Sequence, residues 1–329
     1  MHTQVELGCK MSGLSQAVGV LFMEGGRNSS LAASVIGSAE EARFALADIP
    51  SRVEPRQVLM CDPSYFEIKD AKNPFMEGNL NSTDPKGANR QWHALKQTYE
   101  NLGYPVRLIS AQKNLEDMVF TANQVLPGKE DDGLPYVVLS EMVHPSRQAE
   151  VPFFAEWFEG NGYQLMRLTG DSASCPRFEG QGDAIWHPGK RLLWGGYGFR
   201  TQEAAYTLLS ELLCLPVLKL ELVNSRFYHL DTAFCVLDVD CAMIYPDAFN
   251  ERGLALIRRY FARVLEVSEA DAANFACNAH ALGRKVILQA GSPDTCQALR
   301  GLGFEPVEVE TGEFMKSGGS VFCLKMMVF

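Results

Sequence analysis

Cysteine pairs with the C-x-x-C spacing are missing from this sequence, although nine cysteines are scattered among its 329 residues. Their number is odd and their spacings are irregular, which argues against a disulfide scaffold and against a structural zinc site. We therefore expect most of these cysteines to be reduced, buried and inert. Reduced cysteines also favour a cytoplasmic location.

Positive charge and long apolar segments are scarce as well. The chain carries 30 Lys and Arg residues against 40 Asp and Glu residues, a formal net charge of −10. Nucleic-acid-binding proteins are more often basic, and no apolar run approaches the roughly 18 residues of a membrane span. We thus predict that neither nucleic acid nor a membrane is a partner. The acidity serves solubility, and it would also suit a small cationic substrate.

The first 55 residues differ in composition from the rest of the chain. They are rich in Ser, Gly and Ala, and we predict that residues 1–55 form an N-terminal extension of unknown role. Residues 56–329 alternate apolar runs typical of strands with stretches typical of helices, which predicts a single α/β domain. The predicted strands are Gln57–Cys61, Pro105–Ile109, Tyr136–Leu139, Tyr163–Leu168, Pro216–Leu220, Cys241–Tyr245, Val286–Leu288 and Pro306–Val309.

Five predicted helices separate these strands. In the last of them, Ser292 is the predicted N-cap residue, Pro293 occupies the first helical position and Gly303 follows the end. The helices recur about every 40 to 60 residues, so each would belong to a unit of a few strands and one helix. Five such units closed into a ring, or an ordinary open α/β sheet, would both produce this alternation. The helices are Lys86–Leu102, Ser146–Asn161, Thr201–Leu213, Glu251–Leu265 and Ser292–Leu302.

A cysteine near the C-terminal end follows a Gly-Gly pair, in the segment Gly318–Leu324. The glycines allow a sharp turn and a close approach of the backbone. Cys323 is either a buried small apolar residue or the nucleophile of a covalent thiol reaction. A histidine and several carboxylates elsewhere in the chain would supply the other groups that such chemistry requires.

Two segments carry these other groups. His229 and Asp231 are separated by one residue, so in a strand they would project to the same face. Glu179 and Asp183 lie four residues apart in Phe178–Asp183, where two glycines would let a ligand approach the backbone. The plain alternatives are a core histidine beside a turn acid, and a surface turn with solvated acids.

Three further polar residues are candidates for binding. Asn123 ends the apolar segment Phe120–Asn123, a position typical of a turn. Arg147 lies in the first turn of a predicted helix, where its charge opposes the helix dipole and points to an anionic partner, with Glu150 as the plain alternative. Arg200 follows a glycine-rich loop and would hold a carboxylate in a bidentate manner, unless it is a solvated surface charge.

Taken together, these separated motifs resemble the guanidine-modifying superfamily, which contains arginine deiminases, dimethylarginine dimethylaminohydrolases, amidinotransferases and arginine dihydrolases. The resemblance covers about Val58–Lys325. Members of this superfamily share a five-bladed α/β propeller, the pentein fold, with pseudo-fivefold symmetry. The resemblance therefore implies that residues 56–329 are a single catalytic α/β-propeller domain.

The resemblance also implies roles for the residues of the reaction centre. Cys323 would be the nucleophile, His229 the general acid and base, and Glu179 the carboxylate that supports proton transfer and contacts the guanidinium. Asp231 would bind the guanidinium, and Asp183 would be a substrate-contacting acid. This chemistry needs a small guanidine substrate and no metal or organic cofactor. Self-association into a homo-oligomer is left open.

The remaining positions of the resemblance concern the other end of the substrate. Arg147 and Arg200 would hold its α-carboxylate. Asn73, in the segment Asn73–Met76, resembles the asparagine of an Asn-Pro-Trp-Met motif on the side of the substrate amine. In this chain Phe75 replaces the usual tryptophan.

One departure from the deiminases concerns Thr121–Asn123. Arginine deiminases and amidinotransferases end this motif with aspartate, whereas Thr-Ala-Asn resembles the arginine dihydrolases and succinylarginine dihydrolases. Asn123 would offer the guanidinium a neutral dipole in place of a charge. It would bind the cation less tightly and would let a urea-like intermediate stay for a second hydrolysis. The resemblance thus implies an arginine dihydrolase, which converts arginine to ornithine, ammonia and CO2.

Other members of the superfamily provide the alternatives. A single hydrolysis, by an arginine deiminase or a dimethylarginine dimethylaminohydrolase, would give citrulline. An amidinotransferase is less favoured because transfer requires an acceptor amine and exclusion of water. A ribosome-binding propeller without chemistry would lack the thiol, the imidazole and the acids that this chain contains. Because six residues follow Cys323, we expect the additional C-terminal domain of long dihydrolases to be missing.

Overall fold

A computed structural model of the protein describes residues 33–130, 133–169 and 175–329, which belong to one compact unit of mixed α/β architecture. Within these ranges, none of the helices combines the length and the apolar character that a membrane crossing requires. The helices are α1 (Pro85–Asn101), α2 (Pro145–Gln148), α3 (Val151–Gly160), α4 (Gly180–Asp183), α5 (Ala204–Leu213), α6 (Glu251–Tyr260), α7 (Glu269–Ala273), α8 (Pro293–Gly301) and α9 (Gly312–Met315).

The strands of the described residues form five separate sheets. The strands are β1 (Ser34–Ile36), β2 (Gln57–Cys61), β3 (Val106–Ile109), β4 (Val125–Lys129), β5 (Pro135–Leu139), β6 (Gln164–Arg167), β7 (Ala184–Trp186), β8 (Leu193–Tyr197), β9 (Pro216–Glu221), β10 (Phe234–Asp238), β11 (Cys241–Ile244), β12 (Arg263–Glu266), β13 (His280–Leu282), β14 (Lys285–Gln289), β15 (Glu305–Val309) and β16 (Met326–Val328).

Each sheet repeats the same pairing pattern. An antiparallel pair is followed by a parallel strand, and one or two helices connect the two parallel strands, as α6 does between β11 and β12. The C-terminal strand β16 pairs antiparallel with β2, so the beginning and the end of residues 57–328 meet in one sheet. A mixed α/β fold is thereby confirmed, whereas the closed five-bladed ring stays a prediction.

The middle strand of a sheet is buried on both faces, which explains why its sequence is a continuous apolar run. In β2, Val58 and Met60 pack in one cluster of buried apolar side chains, and Leu59 and Cys61 pack in another. All four side chains are fully buried. The short apolar runs detected in the sequence are therefore mainly these middle strands.

Helices α1 and α6 each begin after a residue whose side chain caps the N-terminus. The Asp84 side chain accepts a hydrogen bond from the Lys86 backbone N–H at 3.0 Å, and Asn250 accepts one from Gly253 at 2.8 Å. Ser292 does precede α8, but it makes no capping bond, because its hydroxyl accepts from the Asn274 amide.

Two predicted helices differ from the structure, one near its N-terminal end and one at its C-terminal end. The stretch Ser146–Asn161 is divided into α2 and α3, which are separated at Ala149 and Glu150. The stretch Glu251–Leu265 leaves the helix after Tyr260, since β12 pairs with β11 there. The amphipathic pattern of this segment continues through the strand, so periodicity alone did not locate the boundary.

Residues 33–55 of the predicted N-terminal extension pack against the α/β unit. Strand β1 pairs in parallel with β9, and Ile36, Phe44 and Ile49 are buried in the largest apolar cluster. The Phe44 ring lies 5.5 Å from the ring of Tyr260 in α6. The rest of the predicted extension, residues 1–32, lies outside the described residues, and the domain boundary at residue 55 stays a prediction.

If residues 33–55 are an integral part of the fold, the substitution Phe44→Ala should lower the free energy of unfolding by about 3 kcal/mol, because it leaves a cavity in the core. The matched control is Val53→Ala in the same segment, whose side chain is 63% exposed and should change stability by less than about 0.5 kcal/mol. Urea unfolding measures both values. Equal midpoints for the two variants would contradict this packing.

Candidate active site

Thirteen residues from both halves of the chain surround a recess of about 340 Å³. Six of the nine predicted site residues line it: Asn73, Asn123, Arg147, Arg200, His229 and Cys323. The other seven lining residues are Lys72, Met76, Asp117, Phe120, Tyr228, Ser317 and Gly318. The remaining predicted residues, Glu179, Asp183 and Asp231, are buried. Glu179 and Asp231 are hydrogen-bonded to the lining residues His229 and Cys323, and Asp183 is bonded to the backbone of Leu230 next to His229.

The glycine pair before Cys323 is required by the close packing of the recess wall. Gly318 has a φ of +84°, and a Cβ there would lie 2.6 Å from the Tyr228 hydroxyl and 2.9 Å from Asn73 Oδ1. The Tyr228 hydroxyl donates to the Gly318 carbonyl at 2.9 Å. A Cβ at Gly319 would lie 2.5 Å from the Phe120 ring. The predicted close approach of the backbone is therefore to side chains of the recess.

The Cys323 thiol lies between a carboxylate and an amide. Its Sγ is 3.2 Å from Asp231 Oδ2, to which it donates, and 3.1 Å from Nδ2 of Asn278. The thiol is 4% exposed, and Asp231 is fully buried with one carboxylate oxygen, Oδ1, lacking any partner among the described residues. A cationic N–H donor would complete this carboxylate.

Asn278 is a residue of the site that the sequence analysis missed. Besides contacting the thiol, its Nδ2 donates to the Asp231 carbonyl at 3.0 Å. Its Oδ1 accepts from the backbone N–H groups of Ser320, Phe322 and Cys323 at 3.0 to 3.2 Å. One buried amide thus fixes the cysteine turn and the Asp231 turn together. In the sequence Asn278 is a single asparagine before a predicted strand. No motif around it indicates these contacts.

Burial determines the protonation of the thiol and its carboxylate. Burial, followed by the nearby charge of Asp231, raises the pKa of the Cys323 thiol well above its usual value. Burial also raises the pKa of Asp231 to about 7, although the hydrogen bond from Cys323 and the charge of Lys325 act to lower it. The raised pKa disfavours the thiolate, and a cation placed beside the sulfur would favour it.

His229 is joined to a buried acid. Its Nε2 lies 2.6 Å from Glu179 Oε2, and the same oxygen accepts from the Arg200 guanidinium at 3.2 Å. Burial alone would raise the pKa of Glu179, but the hydrogen bond and charge of His229, together with Arg200, outweigh it and hold this pKa below its usual value. The ring of His229 lines the recess, so it is oriented by one carboxylate and presented to a ligand.

The expectation that His229 and Asp231 share one face of a strand is wrong. Leu230–Thr232 form a 3₁₀ turn, and the Thr232 hydroxyl donates to the His229 carbonyl at 2.6 Å. The turn sends His229 to Glu179 and Asp231 to Cys323. His229 and Asp231 therefore both belong to the site, but a turn directs them to different partners. The alternation of side chains along a strand does not describe this arrangement.

The two glycines of the Glu179–Asp183 segment pack against Asn123 of the protein itself. The expectation that they allow a ligand to approach the backbone is therefore not met here. Gly180 has a φ of +52°, and a Cβ there would lie 2.7 Å from the Asn123 carbonyl oxygen. A Cβ at Gly182 would overlap the Asn123 side-chain amide. The segment forms the single helical turn α4, which packs closely against the chain at Asn123.

The Asp183 carboxylate is occupied by protein donors. Its Oδ1 accepts from the Leu230 backbone N–H at 3.0 Å and its Oδ2 from the Thr201 hydroxyl at 2.7 Å. Burial raises the pKa of Asp183 to about 6. Asp183 therefore fixes the turn after His229, and its predicted contact with substrate stays a prediction.

Both predicted carboxylate-binding arginines are buried and line the recess. The Arg147 Nε lies 3.1 Å from both carboxylate oxygens of Glu150, which is the plain alternative that the sequence left open. Another guanidinium nitrogen of Arg147 donates to the Phe120 carbonyl at 3.1 Å. The Arg200 guanidinium donates to the Lys72 carbonyl at 2.9 Å. Whether either arginine also holds a substrate carboxylate stays a prediction.

The two predicted asparagines occupy different walls. Asn123 is 1% exposed, its Oδ1 accepts weakly from Arg147 at 3.5 Å, and its Nδ2 is a buried donor without a partner among the described residues. Asn73 Nδ2 donates to the Ser317 carbonyl at 3.0 Å, and its Oδ1 accepts from the Phe75 N–H at 3.0 Å. Asn123 therefore has hydrogen-bonding capacity left for a ligand.

An ion pair in the recess was also missed by the sequence analysis. Lys72 Nζ lies 2.9 Å from Asp117 Oδ2 and 3.1 Å from Glu116 Oε1. Burial acts to lower the pKa of Lys72, but Asp117 and the surrounding hydrogen bonds outweigh it and raise this pKa. The sequence feature that could have indicated this ion pair is the pair of adjacent acids, Glu116 and Asp117, directly before an apolar segment.

The cysteines of the described residues, eight in number, are all free. No group of three or more His, Cys, Asp or Glu side chains in the described ranges is placed to hold a metal ion.

Comparison with known proteins identifies close relatives over most of the chain. It is 40% identical over 272 residues to the bifunctional arginine dihydrolase/ornithine cyclodeaminase AgrE of Nostoc sp.. It is also 37% identical over 281 residues to the N(G),N(G)-dimethylarginine dimethylaminohydrolase of Mycobacterium tuberculosis, covering 85% of this chain and 88% of that protein. The first match covers 82% of this chain but 37% of the longer, bifunctional relative.

The fold agrees with solved structures of such relatives. The N-terminal domain of ArgZ, a cyanobacterial arginine dihydrolase solved with substrate bound, superposes with a TM-score of 0.77 at 37% identity, covering 83% of this chain and 97% of that domain. The family model of the eukaryotic N,N dimethylarginine dimethylhydrolases matches residues 62–329. The chain therefore belongs to the N,N-dimethylarginine dimethylhydrolase family of guanidine-modifying hydrolases, and it is close to the arginine dihydrolases.

Proposed function

We propose that this protein is an arginine dihydrolase, which uses two water molecules to convert arginine to ornithine, two molecules of ammonia and CO2. The observation that carries the proposal is the Cys323 thiol, 3.2 Å from the Asp231 carboxylate in a recess that His229 also lines. A sulfur nucleophile, an acid that attracts a cation and an oriented imidazole are the groups that covalent hydrolysis of a guanidinium requires.

The relatives support arginine as the substrate. AgrE and the ArgZ N-terminal domain are named as arginine dihydrolases, and they are 40% and 37% identical to this chain. The match to the ArgZ domain covers 97% of that domain, so the region of similarity corresponds to its whole length. The chain spans 37% of the length of the bifunctional AgrE protein, and a cyclodeaminase activity is not proposed for it.

In the proposed complex the guanidinium donates to Oδ1 of Asp231, a buried acceptor without a partner among the described residues. Such an atom gains most from a new hydrogen bond. A guanidinium has only N–H donors, so it would meet the Oδ1 side of Asn123, whereas the unpaired Nδ2 of Asn123 would donate to the oxygen of a ureido intermediate. Arg147 and Arg200 would hold the α-carboxylate at the opposite end of the substrate. Asn73, with Asp117 beside it in the lining, would face the α-amine.

The bound cation would then release the thiol proton and start the reaction. The Cys323 thiolate attacks the central guanidinium carbon, and the carbon–sulfur bond forms as that carbon becomes tetrahedral. His229, held by Glu179, protonates the departing nitrogen, so ammonia leaves and a thiouronium adduct remains. His229 next takes a proton from water, whose oxygen attacks the adduct and displaces the thiolate. A second hydrolysis of the ureido group gives ornithine, ammonia and CO2.

A single hydrolysis is the second candidate function. The match to the dimethylarginine dimethylaminohydrolase family over residues 62–329, and the relative from M. tuberculosis at 37% identity, support it. The two candidates share the same sulfur chemistry and differ in whether the ureido intermediate leaves. Product analysis separates them.

We also infer that the five sheets surround a common axis as a five-bladed propeller. The repeated pairing pattern in each sheet and the pairing of β16 with β2 support this arrangement. Residues 56–329 would form the catalytic domain, and the recess would lie at one end of the axis. A cytoplasmic location, a reaction without metal or organic cofactor, and self-association complete the proposal.

Product analysis tests the function directly. Arginine, methylated arginines, agmatine and succinylarginine are each incubated with the protein, and mass spectrometry identifies the products. We expect ornithine from arginine, and at least a 10³-fold loss of turnover in Cys323→Ser, because serine is a much weaker nucleophile at this buried position. Cys214→Ser, at an exposed thiol, is the matched control. Citrulline as the sole product would favour single hydrolysis, and near-normal turnover of Cys323→Ser would exclude the covalent mechanism.

The amide of Asn123 should determine the number of hydrolytic steps. In Asn123→Asp a carboxylate would strengthen the binding of the cationic substrate but not of the neutral ureido intermediate. Citrulline should therefore accumulate from arginine, as chromatography of the products measures. Asn123→Ser, which removes the amide without adding a charge, separates the two effects. Ornithine produced by Asn123→Asp at the wild-type rate would contradict this role.

Asn278 should act as a positioning residue for the nucleophile. Asn278→Ala removes the donor to the sulfur and the acceptor for three backbone N–H groups, so kcat should fall about 10²-fold with little change in KM. The thiol should also lose its hydrogen-bond donor, which raises its pKa. This shift is measured from the pH dependence of inactivation by a haloacetamidine.

The matched control for Asn278 is Asn274→Ala. Among the described residues, the side-chain amide of Asn274 donates to the Ala290 carbonyl and the Ser292 hydroxyl, and it makes no contact with the thiol. A loss of kcat in Asn278→Ala without any shift of the pH profile would mean that Asn278 has a merely structural role.

A further inference from the structure

A buried lysine follows the proposed nucleophile by two residues, and no step of the proposed reaction uses it. Lys325 is 1% exposed, and its backbone N–H donates to the Phe322 carbonyl at 3.3 Å, in the turn that also contains Cys323. Its amine lies 3.2 Å from the centre of the Phe322 ring, and an aromatic face attracts a cation. Because a charged amine is costly to bury, the groups around Lys325 determine whether it carries a proton.

The titratable groups around Lys325 come from its own turn and from three neighbouring elements. Cys323 lies in the same turn, Asp231 in a 3₁₀ turn, Cys235 in β10 and His280 in β13. Lys325, Cys235 and His280 line a second recess of about 630 Å³, which shares no lining residue with the first recess. Lys325 is therefore not part of the substrate wall, and it would act on a ligand through Asp231 and Cys323.

The other polar groups of the second recess leave Asp231 as the counter-charge of this amine. The Arg52 guanidinium forms a 2.7 Å ion pair with Glu54, and both residues line the recess. The His280 Nδ1 lies 3.1 Å from the Tyr99 hydroxyl, and burial lowers the pKa of His280 well below its usual value, which keeps the ring neutral.

Lys325 and the pair of Asp231 and Cys323 influence one another's charge. Burial lowers the pKa of Lys325 to about 7, and the charges of Asp231, Cys235 and Cys323 act to raise it. In return, the charge of Lys325 acts to lower the pKa of Asp231. The ammonium is thus favoured when the carboxylate and the sulfur are negative, and it favours their negative forms in turn.

The two hydrolyses of the proposed reaction differ in the charge that the ligand brings. In the first, the guanidinium places a positive charge beside Asp231 and the Cys323 sulfur. The ureido group of the second is neutral, so the ligand offsets neither the carboxylate nor the thiolate. Two negative charges in a poorly solvated space repel each other strongly. A cation that belongs to the protein remains in place for both steps.

We propose that Lys325 is a positioning residue whose ammonium stabilises the Cys323 thiolate beside the ionised Asp231 when the ligand is neutral, and that it thereby permits the second hydrolysis. This inference rests on the proposed dihydrolase function. A single hydrolysis needs no such cation, because its one thiolate attack is on a guanidinium.

In the second hydrolysis the thiolate attacks the ureido carbon and forms the carbon–sulfur bond. His229 protonates the terminal nitrogen, which leaves as ammonia, so an S-carbamoyl adduct of Cys323 remains. His229 then takes a proton from water, whose oxygen attacks the adduct and breaks the carbon–sulfur bond. The thiolate is restored near Lys325, and the released carbamate takes up a proton and loses CO2 to give ornithine.

The first test measures the thiol without any substrate. In a Cys214→Ser background, which removes the exposed thiol, the rate of inactivation by the neutral reagent iodoacetamide is followed against pH. Lys325→Met keeps the side-chain length without the charge and should react about tenfold more slowly near pH 7, the equivalent of about one pKa unit. The difference should shrink above about pH 8, where the wild-type amine has lost its proton as well. Lys285→Met removes a more exposed lysine and should leave the profile unchanged.

The second test measures the products from arginine. The wild-type protein should release ornithine, whereas Lys325→Met should release citrulline, with the ratio of ornithine to citrulline at least tenfold lower. Disappearance of arginine should slow by less than that factor, because the guanidinium brings its own charge. Phe322→Leu removes the aromatic face but keeps the lysine, and it should lower the ratio about threefold. This second variant keeps the test valid if Lys325→Met does not fold.

Equal alkylation rates of Lys325→Met and the wild type near pH 7 would overturn the assignment of Lys325, and so would an unchanged ratio of products. The two proposals fail separately. A wild-type protein that releases only citrulline would refute the dihydrolase function, and the alkylation rates would still decide whether Lys325 stabilises the thiolate.

Discussion

The contact between the Cys323 thiol and the Asp231 carboxylate is the interaction on which the rest of the site depends. Both groups are buried, and burial raises both pKa values, so the ionised form of each is disfavoured. A thiolate beside a carboxylate would place two negative charges in a poorly solvated space. The arrangement becomes favourable only when a cation arrives, and a flat guanidinium has N–H donors for the carboxylate and an electron-poor carbon for the sulfur.

The surrounding structure keeps these two groups in contact with few residues. Asn278 joins the cysteine turn to the Asp231 turn through its two amide atoms. Asp183 fixes the next residue of the histidine turn, and Glu179 fixes the imidazole. Gly182 and Gly318 allow close packing that a Cβ would prevent. The site is therefore rigid because each turn is held by a side chain of another turn, which suits preorganised catalysis.

The sequence was sufficient for the mixed α/β class, for most middle strands and for the six predicted residues that line the recess. The class and the strands follow from local patterns of apolar runs, whereas the site residues were assigned through the resemblance of separated motifs, and Asn73 through that resemblance alone. The sequence was not sufficient for the outer hairpin strands, such as β7 and β13, which are only three residues long. It also missed Asn278 and the Lys72–Asp117 pair, because their roles arise from contacts across more than 40 residues of sequence.

The raised pKa values of Asp231 and Asp183 affect both the free energy of unfolding and the kind of ligand that the site favours. Asp231 and Asp183, with folded pKa values of about 7 and 6 against an ordinary value of 3.8, contribute stability that is fully present below that ordinary value. This contribution is lost as the pH rises through the folded values. Glu179 behaves oppositely, since its lowered pKa gives stability above about 4.5 that is lost in acid.

Near neutral pH the site thus carries carboxylates that would be more stable with a proton or with a cation. A guanidinium relieves this cost and a neutral ureido group does not. Retaining the ureido intermediate for a second hydrolysis therefore depends on neutral hydrogen bonds, and the unpaired amide of Asn123 is the buried group that can supply one.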